Sequence, residues 1–316
     1  MSPRINRKEL AWVIGLALIS PLPVWAQNAW REPTVYLVEA TDWNGPVLAN
    51  GHPDVQGHWS NTVGNHNNMV DPQGNFPYDD NNEAQPPLPN RENRAPSRLA
   101  APADGEFPFQ AWARTLQQEF AAHLFNAFEP QYVEPLARCA PGGPTKSLMW
   151  HGFEIRQDAN HVLFLFDSGT RVIHLDDKPT LHENISLWNG DSRGHWEGNA
   201  LVVTVANHNA KSRFGRTGEF VSDNATLEER FIFESSGNRF LYQGTYTDPT
   251  VLTAPITFEI PVRRITAESE LDGWNNITFP VNFADSGRAR EIEAYERTCA
   301  ENNANHGAES AITAAN

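Results

Sequence analysis

From residue 153 onward the chain is a succession of short alternating runs joined by turn residues, with no helix-length periodic segment between them. "HVLFLF" and "RVIHLDD" flank Asp167-Ser168-Gly169-Thr170, a Gly-containing four-residue turn. "SRGHWEGNALVVTV" turns at Gly198-Asn199, and "TLEERFIFE" and "RFLYQGTY" flank Ser235-Ser236-Gly237-Asn238. "ITFEIPVRRI" follows, with Pro261 placing it at an edge or a bulge, and "EIEAYERTCAENN" closes the ordered part. Six to nine strands in sequential hairpins predict a mainly β, antiparallel meander. A closed barrel buries such a sheet without loose edges.

The chain before this region reads differently. Residues 27–107 are rich in Asn, Pro, Asp and Gly, as in "GNHNNMVDPQGNFPYDDNNEAQPPLPN", and predict a long irregular N-terminal arm. Within it, Gly57-His58-Trp59 is placed to open a first strand. Residues 108–128 carry Phe109, Trp112, Leu116, Phe120 and Leu124 at intervals of three and four, the pattern of one packed amphipathic helix with that stripe buried. Residues 108–302 then form a single barrel domain, and 303–316 a frayed tail.

The first 26 residues have the build of a secretory signal: Arg4, Arg7 and Lys8, an apolar "LAWVIGLALISPLPVWA", then Gln27. That core is broken by Pro21 and Pro23 and is shorter than the roughly 20 residues a bilayer span needs. A periplasmic or secreted protein with no membrane span is expected. Removing the leader takes away three positive charges and one negative, Glu9, so the formal net charge of -15 becomes -17. Such a polyanion gains nothing from phosphate neutralisation, which argues against nucleic acid. Ten Trp and seventeen Phe supply ample core material. The two cysteines, Cys139 and Cys299, most simply form one disulfide in an oxidising compartment. The alternative, one of them a nucleophile, has no Cys-His context to support it.

Several segments, taken in order, carry a resemblance. They are Arg138-Cys139-Ala140-Pro141, Phe153-Glu154-Ile155, Arg171 to Asp176, Trp196-Glu197-Gly198-Asn199, Glu229-Arg230-Phe231, Asp248-Pro249 and Cys299-Ala300-Glu301-Asn302. Together they resemble a large, mostly uncharacterised family of exported bacterial proteins with a central G-x-W-E-G-[DN]-x-L-V-V motif. The resemblance implies a lipocalin-like (calycin-type) barrel, secretion and pairing of Cys139 with Cys299. His174 stands where the family pattern has Tyr, and Asn199 where it has Asp. The family brings no general activity with it.

Strand alternation selects the candidate chemistry. In "RVIHLDD", Val172, His174 and Asp176 share one face, while Arg171, Ile173 and Leu175 share the other. If the first face lined the barrel interior, an imidazole and a carboxylate about 7 Å apart along the strand would project into one cavity, suited to proton abstraction and return. Otherwise both groups meet solvent. His195 and Glu197 likewise share a face, opposite Trp196, with Glu197 also readable as a turn residue. His151, Trp188, Trp196, His208, Tyr242 and Tyr246, with Arg171, are candidate ligand contacts, although large aromatics in a barrel often only fill its core.

Metal-binding spacings are absent: there is no H-E-x-x-H and no H-x-H, although eleven histidines are present. G-x-S-x-G and Gly-rich phosphate loops are missing too, so neither a serine hydrolase elbow nor a nucleotide cofactor is expected. Two readings follow. One is a cofactor-free acid/base enzyme, a lyase, isomerase or hydratase, acting on a hydrophobic small molecule in the barrel cavity, with His174 and Asp176 catalytic and His195 and Glu197 in support. The other is a binding protein that carries an apolar ligand without turning it over. The enzyme reading requires at least two of His151, His174, Asp176, His195, Glu197 and His208 in one aromatic-walled cavity, with a carboxylate in hydrogen-bond reach of an imidazole.

Overall fold

The computed structural model describes residues 38–265 except 62–67, 73, 80, 82, 94–95, 126, 130, 136–139, 151 and 167–168. The expected leader and tail, the Cys139–Cys299 pair and His151 lie outside the described residues. Ten strands are present: β1 (Gly57–Asn61), β2 (Leu99–Ala101), β3 (Phe153–Gln157), β4 (His161–Phe166), β5 (Gly169–His174), β6 (Asp191–Glu197), β7 (Ala200–Ala206), β8 (Thr226–Phe233), β9 (Arg239–Thr247) and β10 (Ile256–Arg264). Among the described residues two α-helices, α1 (Ala111–Ala122) and α2 (Pro144–Trp150), join them. Strands β1 and β3 to β10 pair in sequence, and β10 returns to β1, which closes a nine-stranded barrel; β2 adds to β10 from outside the ring.

The alternation read in the sequence is realised strand by strand. In β4, Val162, Phe164 and Phe166 are buried and His161, Leu163 and Leu165 are not. Inward positions carry large aromatics in tilted and edge-to-face contact: Trp59 lies 5.1 Å from Phe240, Phe240 4.7 Å from Phe233, and Phe231 5.1 Å from both Phe164 and Tyr242. The centre of the barrel is therefore filled rather than hollow, as a ring of about eight strands allows. Any ligand must be met elsewhere.

The expected first strand is β1. Its Trp59 is fully buried and pairs across to Arg264 of β10, whose guanidinium lies 4.4 Å over the indole. Pro261 sits in β10 at a point where its missing N–H matters little. Glu259 N donates to Arg98 O beside β2, so the nitrogen two residues on faces the same flank, in the gap before β1 pairing resumes at Val262.

Two expectations are corrected. The sheet is not wholly antiparallel, because β5 and β6 run parallel. Parity demands this: alternating directions around a ring close only for an even number of strands, and this ring has nine. Second, α1 buries Ala113, Gln117 and Ala121; of the expected stripe only Leu124, just beyond the helix, is buried, Phe109, Leu116 and Phe120 are half-buried, and Trp112 is 52% exposed. The segment at Gly218 (φ +89°) approaches the helix closely, and a Cβ there would lie 2.6 Å from Gln117 O and 3.1 Å from Ala121 N. Trp112 and Phe120 flank that contact and meet the ring of Phe220. Helix α2 is an element the sequence pattern did not indicate.

Among the described residues no helix is long and apolar enough to cross a membrane.

Candidate functional site

A parallel pair cannot be joined by a hairpin, so residues 175–190 leave β5 and return along its outside to begin β6 in the same direction. Only two positions stay in register, Ile173 with Ser192 and His174 with Arg193. The antiparallel pair β6–β7, by contrast, runs unbroken from Asp191–Ala206 to Glu197–Ala200. The seam between β5 and β6 is thus the least zipped part of the wall.

The crossover is tied down by polar groups. Arg193 donates from its two Nη atoms to Lys178 O and Pro179 O, both at 3.0 Å, and from Nε to Asp191 Oδ1 at 3.0 Å. Asp191 Oδ2 accepts Leu181 N at 2.9 Å, and Asn207 Nδ2 donates to His182 O and Ile185 O. Gly190 (φ +66°) completes the return, since a Cβ there would lie 2.5 Å from Val205 Cγ1 and 2.7 Å from Ala206 O.

Between crossover and seam lies a cleft of about 590 Å³. Leu181, Leu187, Trp188 and Val172 supply apolar walls, and Arg171, His174, Asn189, Ser192 and Arg193 supply the polar atoms. Leu187 and Val172 are 40% and 36% exposed, so this part of the apolar wall is open to solvent.

The floor is Arg171, buried on the inward face of β5. Its Nη1 donates to Glu229 Oε1 at 2.9 Å, its Nη2 bonds Glu229 Oε2, and Nε and Nη2 donate to Ser192 Oγ at 3.1 and 3.0 Å. Tyr242 donates to Glu229 Oε1 at 3.0 Å, and Thr145 Oγ1 lies 2.8 Å from the Tyr242 hydroxyl and 3.1 Å from that of Tyr246. Burial works against the Arg171 charge, but the attraction and hydrogen bonds of Glu229 outweigh it and hold the guanidinium above its ordinary pKa. Burial pushes both tyrosine hydroxyls up as well, so they stay neutral donors.

His174 sits on the cleft side of the seam. Its ring packs against His161 at 5.1 Å, edge to face, and its buried Nδ1 has no hydrogen-bond partner. Desolvation first, then the positive charges of Arg193 and His161, lower its pKa, so the imidazole is neutral at pH 7. The buried Oδ1 of Asn189 is also without a partner, while its Nδ2 donates to Thr170 O at 3.4 Å. His174 and Asn189 thus both line the cleft, each with one buried polar atom that no protein group satisfies.

The other expected site residues are dispersed. Asp176 pairs with Lys178 at 3.0 Å rather than with His174, and the hydrogen bond from Lys178 lowers its pKa. His195 Nε2 and Glu197 Oε1 are 3.1 Å apart, but on the outer barrel face, where Glu197 also meets Arg230 at 3.0 Å. Trp196 is half-buried and packs against the core, its ring 5.9 Å from that of Phe233. His208 is buried with Nε2 2.8 Å from Ala225 O, and Tyr242 and Tyr246 lie behind Arg171 rather than in the cleft. Of the expected residues, Arg171, His174 and Trp188 come together. The condition set for the enzyme reading is not met among the described residues.

Glu229, Ser192 and Asn189 were missed. A signal for the first existed: Leu227, Glu229, Phe231 and Phe233 alternate on one face, so a carboxylate stood in an otherwise apolar register. Arg171 beside Ile173 is its counterpart on β5.

The motif "GHWEG" is architectural. A Cβ at Gly194 would lie 2.8 Å from Ile173 Cγ2, and at Gly198 (φ +58°), which makes the turn, a Cβ would collide with Thr41 O. Asn199 locks the preceding arm to that hairpin: it accepts Thr41 N at 2.7 Å and donates to Glu39 O and Phe233 O at 2.9 and 2.8 Å.

Among the described residues no group of three or more His, Cys, Asp or Glu is placed to hold a metal ion. Comparison with family models, curated proteins and solved structures gives no match for this chain.

Proposed function

We propose that the chain is a binding protein for a small amphipathic organic molecule that carries a hydrogen-bond donor, seated in the β5–β6 cleft. The observation that carries this reading is the meeting of an apolar wall with two unpartnered acceptors, His174 Nδ1 and Asn189 Oδ1. A neutral imidazole protonated at Nε2 offers Nδ1 as an acceptor, and the amide orientation set by Thr170 O leaves Oδ1 facing a donor. Trp188, Leu187 and Leu181 then cover the ligand's apolar body. The N-terminal leader pattern and the family resemblance support an exported protein, which would meet such ligands outside the cytoplasm.

The test is calorimetric titration with 1-naphthol and with 1-methoxynaphthalene, which has the same rings but no donor. The naphthol should bind at least about tenfold more tightly, and His174→Ala with Asn189→Ala should remove that preference. Equal affinity for the two compounds, or a preference unchanged in the double variant, refutes the reading.

A second reading, proton transfer at His174, is favoured by its lowered pKa and unoccupied Nδ1. It lacks an orienting carboxylate, because Asp176 is engaged by Lys178. Hydrogen–deuterium exchange at an acidic C–H of a bound ketone, lost in His174→Gln, would select it over simple binding.

A further inference from the structure

A second cleft, of about 410 Å³, lies between the N-terminal arm and α1, away from the β5–β6 seam. At its wall is Glu219, from the β7–β8 connection, a carboxylate only 4% exposed. Thr217 donates its hydroxyl to Oε1, while the buried Oε2 has no hydrogen-bond partner. An ionised carboxylate only accepts hydrogen bonds, and this oxygen, buried in a residue of the cleft wall, has no donor among the protein groups. The lining also contains Glu106 and Asp71.

The two guanidiniums of the cleft are directed to other acceptors. Arg91 faces Asp71 at 3.6 Å, and Arg114 donates to Gln117 Oε1 at 3.2 Å and to Phe107 O at 2.6 Å. Among the described lining residues three carboxyls thus face two cations, with the buried Lys146 acting on Glu219 from outside the lining, in a chain whose net charge is -15. Burial pushes the carboxyls of Glu219 and Glu106 up, and a cation at the cleft would favour their ionised forms. Pro77, Leu88 and Phe107 supply an apolar side for a short hydrocarbon chain.

We infer that this cleft is a binding site for a primary alkylammonium compound, whose N–H donors reach Glu219 Oε2 while its chain lies along Leu88 and Phe107. A compact ammonium fits better than a neutral hydroxyl because charge-assisted hydrogen bonds are about twice as strong. It fits better than a quaternary ammonium because the orphaned atom needs a donated hydrogen. This site does not depend on the ligand proposed for the β5–β6 cleft.

The experiment titrates the full chain with n-pentylammonium chloride, 1-pentanol and N,N,N-trimethylpentylammonium chloride. The primary ammonium should saturate one site, and the other two should bind roughly ten- to a hundredfold more weakly. Glu219→Gln should weaken pentylammonium by a similar factor, while Glu228→Gln, on the exposed face of β8, leaves it unchanged. Equal binding of the alcohol, binding insensitive to Glu219→Gln, or no saturable binding overturns the inference. Should Glu219→Gln fail to fold, amide NMR shifts of the wild-type chain decide: pentylammonium must perturb Thr217 to Glu219, and shifts confined elsewhere refute the site.

Discussion

The Arg171–Glu229 pair makes an asymmetric prediction. Both side chains are almost fully buried, and Glu229 accepts from two Arg171 nitrogens and from Tyr242. Glu229→Gln keeps the shape, removes the charge and turns an amide NH2 towards a group that only donates. Arg171 cannot shed its proton, so a buried cation is left uncompensated, at a cost of about 3–5 kcal/mol. For a domain of this size that lowers Tm by roughly 6–20 °C.

Arg171→Met removes the other partner, yet the stranded carboxyl can take up a proton and keep its bond from Tyr242. It should cost less than Glu229→Gln at pH 7. The double variant Arg171→Met with Glu229→Leu leaves no buried charge and should recover more than half of the loss, short of full recovery because Ser192 Oγ forfeits two donors. Urea unfolding followed by tryptophan fluorescence measures all three. A loss below about 1 kcal/mol for Glu229→Gln, or a double variant worse than both singles, would refute the account of this pair as buried and mutually dependent.

Three further outcomes are expected. Asn199→Asp replaces two donated bonds by a carboxylate against Glu39 O and Phe233 O, and should cost about 2 kcal/mol and speed hydrogen exchange at the Thr41 amide; unchanged exchange would contradict the tethering role. Ala113→Leu should destabilise by about 1–3 kcal/mol through overpacking, more than Trp112→Ser does on the exposed flank of α1, and thermal melts giving the reverse order would place the buried face wrongly. His174 should titrate by NMR below its ordinary 6.5; since the unfolded chain then binds the proton more readily, the stability linked to it is complete above pH 6.5 and is lost as pH falls through the folded midpoint. A midpoint above 6.5 would remove the reason for a neutral imidazole in the cleft.

Much of the barrel was legible in the chain because its signals are local. A hairpin needs only a turn and two alternating runs, so the β6–β7 and β8–β9 turns, and Trp59 as an opening strand, followed from neighbours in sequence. The helix was legible as an element but not as an orientation. Its aromatic residues predicted the buried stripe, whereas the close approach of Gly218 to Gln117 and Ala121 decided which face is buried. His174 and Arg171 were legible as unusual residues, but not the cleft that they share.

What the sequence by itself determined is the β architecture, because alternation and turn chemistry act over two to five residues. The tertiary structure alone decided the strand number, and with it the parallel β5–β6 seam that an odd ring requires. It also decided which acceptors are left without donors. Closure and satisfaction are properties of the whole ring, set by pairings between residues as distant as Trp59 and Arg264, and no local pattern encodes them.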